Sequence, residues 1–121
     1  LAERRAKHSP LRDIAGMLRS FNYARWTALK HAAQDHGDTE KLAPLAEAWE
    51  ADARTAFLAA YDETARIGGL YHSFEDVRGL LDLFELEKAL YELRYEIENR
   101  PDWMRIPLLG IVVLTGIRVP E

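Results

Sequence analysis

Apolar residues recur along this chain at helical spacing, and nowhere do they alternate with polar ones over the length of a strand. Ser9 and Pro10 open the first such segment: serine caps free N–H groups, and proline takes the first helical position, where its missing N–H costs nothing. Leu11, Ile14, Ala15, Leu18, Phe21, Trp26 and Leu29 then form an apolar face to about Ala33, and Asp35, His36, Gly37 and Asp38 read as a polar turn. A second helix is predicted from near Thr39 through Leu45, Ala46, Trp49, Ala53, Phe57 and Ala60 to Ile67, where Gly68 and Gly69 stop it. Ser73 with Asp76 has the form of a capping box opening a third helix. Arg100 and Pro101 end it, because the residue before a proline avoids helical geometry. Pro107 opens a last short helix. The expectation is an all-α fold of about four helices in a single domain, 1–121.

The third helix carries more than a core face. Wound at about 100° per residue, it places Leu83, Leu86, Leu90, Leu93 and Ile97 on one stripe, which is expected to be the buried one. The flank beside it gathers Phe84, Glu87, Tyr91, Arg94, Tyr95 and Glu98, while Lys88, Glu92, Glu96 and Asn99 are expected to turn toward water. Rings beside carboxylates and a guanidinium suit a polar ligand with apolar faces, such as a sugar. The plainer alternative is a boundary face, with wet tyrosine hydroxyls and charges that solvate the rest. For Glu85, Glu92 and Glu96 the expectation is a solvated face with partners one turn away, such as Lys88 for Glu92.

Composition narrows the function classes. A net charge of −4 gives no electrostatic reason to bind nucleic acid or an anionic membrane. The absence of cysteine rules out a disulfide framework and a thiolate metal site, and is compatible with the cytoplasm, the expected compartment. The most apolar run, 106–117, is broken by Pro107, Gly110 and Gly116 and falls short of the roughly 20 residues a bilayer span needs, so it is expected to be a buried terminal helix. His8, His31, His36 and His72 are scattered without metal-ligand spacing, the glycines fit no phosphate-cradling loop, and no nucleophile elbow is present. The chain opens on Leu1 rather than Met, which reads as a piece of something longer.

Two stretches carry a resemblance. Residues 1–25, Leu-Ala-Glu-Arg-Arg-Ala-Lys-His-Ser-Pro-Leu-Arg-Asp-Ile-Ala-Gly-Met-Leu-Arg-Ser-Phe-Asn-Tyr-Ala-Arg, resemble the segment that follows the Mg-binding motif of bacterial maltokinases. Residues 85–107, with Glu-Leu-Glu-Lys-Ala-Leu-Tyr-Glu-Leu-Arg-Tyr-Glu, Asn-Arg-Pro-Asp-Trp and Ile-Pro, resemble the C-terminal signature of the same family, whose members occur free or fused behind a trehalose synthase. The middle, about 35–82, is compatible but unspecific, and 108–121 does not align with the family's ending.

The resemblance implies an aminoglycoside-phosphotransferase-like, kinase-related fold that moves the γ-phosphoryl group of ATP to the anomeric hydroxyl of maltose. Such transfer needs a catalytic-loop Asp, Mg²⁺ ligands and a phosphate-binding lysine. In the family these lie upstream of the matched segments, so this chain is expected to be the helical C-terminal part of the C-lobe, with no catalytic or metal-ligating residue and with ATP and Mg²⁺ held elsewhere. The implied sugar-binding residues are Glu87, Tyr91 and Tyr95, with Arg94, Asn99, Arg100 and Trp103 behind them. Arg100 and Trp103 read equally well as a structural lock at the helix end. Asp13 is implied to support the catalytic loop, or else simply to stabilise a helix N-terminus. Arg12 and Arg19 are expected to pair with carboxylates and anchor the loop, and Arg4 and Arg5 to do the same or to contact phosphate. The implied partners are maltose or a related glucoside, the rest of the kinase, and a fused or associated trehalose synthase. The alternative from a different class is a non-enzymatic helical interaction module whose patch is Phe84, Tyr91, Tyr95 and Trp103.

Overall fold

A computed structural model describes residues 9–36 and 39–116, and every described element is helical, with no strand among the described residues. Helix α1 spans Pro10–His36, α2 Ala43–Ile67, α3 Phe74–Asn99 and α4 Arg105–Thr115, with a 3₁₀ turn at Pro101–Trp103. The fold is thus all-α with four helices among the described residues. None of these helices is long and apolar enough to cross a membrane.

Local chemistry accounts for the boundaries. Ser9 Oγ accepts from Leu11 N–H at 3.3 Å, an N-cap with Pro10 in the first helical position. Ser73 Oγ likewise accepts from Glu75 N–H at 3.3 Å at the start of α3. Gly69, at φ +75°, takes the left-handed conformation that closes α2, and Gly116, at φ +68°, does so after α4. Two expectations shift. Asp35 and His36 belong to α1 rather than to a turn, because no helix-breaking residue precedes Gly37; Gly37 and Asp38 lie outside the described residues. Helix α2 starts at Ala43 rather than near Thr39, whose carbonyl accepts from Leu42 N–H at 3.1 Å and Ala43 N–H at 2.8 Å in a preceding turn, with Pro44 setting the first helical turn.

The chain divides into two compact units, one of Leu1–Arg19 with Arg78–Glu121 and one of Ser20–Val77. In the second unit Phe21 meets Trp49 and Phe57 edge-on, with ring centroids 6.2 and 5.7 Å apart. Asn22 Nδ2 and Arg25 Nη1 both donate to Glu50 Oε1, at 3.0 and 3.1 Å, and Arg25 also reaches Glu47. Residue 22 meeting 50 while 25 meets 47 makes α1 and α2 antiparallel there. Further along, the Tyr71 hydroxyl donates to Asp62 at 2.9 Å; burial first, then this carboxylate, pushes the Tyr71 pKa up to about 12.

In the first unit the core comprises Leu11, Ile14, Ala15 and Leu18 of α1, Leu81, Phe84 and Ala89 of α3, and Pro107 and Gly110 of α4. The leucine stripe of α3 is not its buried face: Leu83 is 56%, Leu90 51% and Ile97 52% exposed. The inward face carries Ala89 with Glu85 and Glu96, which are buried, and Glu92, which is nearly so; the solvated face expected for these carboxylates is overturned. For Glu92 and Glu96 the reason is that each charge meets a cation. Arg19 reaches Glu92 at 2.6 Å, and Arg100 grips Glu96. The small Ala89 side chain between them lets the neighbouring helix come close. Helix α4 is likewise only partly buried, with Val113 79% exposed, so the fully buried terminal helix expected for 106–117 is also corrected.

Candidate functional site

Helices α1 and α3 build the site together. Arg12 pairs with Glu87, and seven residues on Arg19 pairs with Glu92, so the two helices run in the same direction past each other. Arg12 also lays its guanidinium over the Phe84 ring, 4.4 Å from its centroid. Phe84 is buried, so it forms a floor rather than part of an exposed aromatic patch. One helical turn on, Lys88 Nζ stands 5.1 Å over the ring of Tyr91, which is 64% exposed.

Arg12, Phe84, Glu87, Lys88 and Tyr91 line an open pocket of about 200 Å³. Its wall therefore holds two cations, one carboxylate, an exposed phenol ring and an apolar base. Such a wall presents donors, acceptors and a flat apolar surface along about two turns of α3 with Arg12 of α1 beside them. Helical spacing explains the set: residues 84, 87, 88 and 91 fall on one flank of α3.

The remaining candidates fall outside this pocket. Tyr95, Arg100 and Trp103 form a second group at the C-terminal end of α3. Arg100 donates from Nε and Nη2 to the two oxygens of Glu96, each at 2.9 Å, and its guanidinium lies 4.3 Å from the Trp103 ring centroid and 5.9 Å from that of Tyr95. Glu96 is 1% exposed, so this bidentate grip neutralises a carboxylate that would be costly to bury alone. Asn99 Nδ2 donates to the Tyr95 carbonyl at 2.9 Å, satisfying an end carbonyl of the helix. Arg94 is exposed and faces Glu98 at 3.4 Å. Asp13 is exposed in the first turn of α1, and Arg19 is buried against Glu92 and Gly110. Arg4 and Arg5 lie outside the described residues, as do His8 and 117–121.

Lys88 joins the pocket although the sequence pattern turns it toward water; its spacing three residues before Tyr91 was the available signal. Burial is what matters most electrostatically at Glu92. Desolvation raises its pKa despite the opposing pull of the Arg19 hydrogen bond and charge. Among the described residues no group of three or more His, Cys, Asp or Glu side chains is placed to hold a metal ion. No protein-family model matches the chain, and no solved structure matches it.

Proposed function

We propose that the chain is the acceptor-side, C-terminal helical part of the C-lobe of an ATP-dependent maltokinase, a sugar kinase that turns ATP and maltose into ADP and maltose 1-phosphate. The observation that carries this reading is the pocket of Arg12, Phe84, Glu87, Lys88 and Tyr91. Four of its five lining residues, all but Phe84, come from the two stretches that resemble the family, and the Arg12–Glu87 and Arg19–Glu92 pairs join those stretches.

At about 200 Å³ the pocket is smaller than the roughly 300–1,000 Å³ of sites that enclose a drug-sized ligand, so it takes one pyranose ring rather than the whole disaccharide. The Tyr91 ring stacks on the sugar face, Glu87 accepts from hydroxyls, and Arg12 and Lys88 donate to hydroxyl oxygens. Of the remaining candidates, the exposed Tyr95 ring is the one offered to the second sugar ring, while Arg94, Asn99, Arg100 and Trp103 are engaged along the C-terminal end of α3. By the same resemblance, the metal, the ATP phosphates and the catalytic Asp belong to the upstream part of the enzyme. That enzyme works in the cytoplasm, alone or with a fused or associated trehalose synthase.

The test is an ATP-consumption assay with maltose, glucose and trehalose, run on this chain and on the chain extended to its natural start. Maltose-dependent turnover is expected in the extended chain only, and Tyr91→Ala there is expected to raise KM for maltose while leaving that for ATP near normal. No turnover in either chain, or equal effects on both substrates, overturns the proposal. One observation favours a second reading as a non-enzymatic helical interaction module: the half-exposed stripe of Leu83, Leu90 and Ile97.

A further inference from the structure

The face of α3 opposite its buried carboxylates is apolar. Leu83, Leu90 and Ile97 follow one another at intervals of seven, with Leu86 and Leu93 between them, which is the a/d pattern of a helix seam over two heptads. The first three are half exposed and the other two half buried, so this seam keeps an open apolar side along about 21 Å of helix. We propose that the seam docks a second copy of this chain, as an antiparallel pair of α3 helices related by a two-fold axis.

Charge decides the occupant and its direction. Beside the seam, on its open flank, stand Glu87 and Arg94, exposed and of opposite sign; each has a partner within the chain, Arg12 for Glu87 and Glu98 for Arg94, which a contact between copies would share. An antiparallel pair that sets Leu90 against Leu93 of the second copy, and Leu86 against Ile97 of the second copy, brings Glu87 close to Arg94 of the second copy. Two-fold symmetry repeats the contact, so one surface is complementary to itself. A parallel pair instead sets exposed Asp82 against Glu87 of the second copy, two like charges. The buried Ala89 and Glu96 close the other flank within the same chain, so the approach is one-sided. In this register the apolar contact runs from Leu86 to Ile97, short of two heptads, with Leu83 meeting Arg100 of the second copy; so short a contact falls below the low end of specific interfaces, about 1,200 Å², which points to micromolar rather than nanomolar pairing.

Sedimentation of the chain from low micromolar to several hundred micromolar is the first test, and a concentration-dependent dimer is expected. Leu90→Glu is expected to weaken that dimer at least about 30-fold with the helical circular dichroism unchanged. Because the chain has no cysteine, direction is read by oxidation: an E87C chain mixed with an R94C chain is expected to give the mixed disulfide in preference to either homodimer. A wild-type chain that stays monomeric throughout, a dimer that Leu90→Glu leaves intact, or E87C homodimers as the main product each overturn the proposal.

Discussion

Arg19 donates from Nε to Glu92 Oε1 at 2.6 Å with both side chains close to dry, Arg19 at 3% and Glu92 at 12% exposure. Gly110 of α4 packs against the same guanidinium: a Cβ built there would stand 2.5 Å from Nη1 and 3.0 Å from Cζ. Three helices therefore meet at one ion pair, and one glycine makes the room for it.

Gly110→Ala tests that room. An alanine gains about 0.5–1 kcal/mol of helix propensity over glycine, but a buried clash against a pinned arginine costs about 1–3 kcal/mol. The expected net is destabilisation, read as a lower urea midpoint. Gly79→Ala is the control, since nothing lies within 4 Å of its Cβ position in α3. It is expected to stabilise by about 0.4–1 kcal/mol. Destabilisation of equal size at both positions contradicts the close approach at Gly110.

The buried Glu92 carboxylate makes stability depend on pH. Burial holds its folded pKa above the ordinary 4.5, so the folded chain keeps this proton to higher pH than the unfolded chain does. The contribution of Glu92 is then most favourable in acid, and it declines as pH rises from about 4.5 through the raised folded value. Urea unfolding of the native chain and of Glu92→Gln across that window is expected to show the native chain gaining on the variant as pH falls. A flat difference, or one of opposite slope, contradicts the balance of burial over pairing.

Asp13 sits exposed in the first turn of α1, where a carboxylate contributes about 0.3–1 kcal/mol through the helix dipole. On the proposed maltokinase reading, Asp13→Ala in the chain extended to its natural start is expected to lower kcat by far more than this small loss of stability would. Activity and melting temperature falling together would leave Asp13 with the dipole role alone.

What the sequence made legible was local. Ser9, Pro10, Ser73, Gly68, Gly69 and Pro101 mark helix ends through groups within a turn of themselves, and those boundaries read off to within a few residues. The flank that gathers Glu87 and Tyr91 was legible for the same reason, because helical spacing alone puts them together. The buried side of α3 was not. Period alone favours Leu83, Leu90 and Ile97, whereas the fold buries Glu85, Glu92 and Glu96. Arg19 lies 73 residues before Glu92, and no window of local periodicity contains both. The spacing of Arg12 and Arg19 against Glu87 and Glu92 held the information, but only for a reader who already knew which helices pair.

The most direct measurement of the central claim is a maltose titration of this chain followed by amide proton–nitrogen NMR. Saturable shifts are expected at Arg12, Phe84, Glu87, Lys88 and Tyr91, absent with an unrelated polyol and lost in Tyr91→Ala. No shift at these residues as maltose is raised through the millimolar range, or shifts confined to other parts of the chain, would contradict a sugar site on this face of α3.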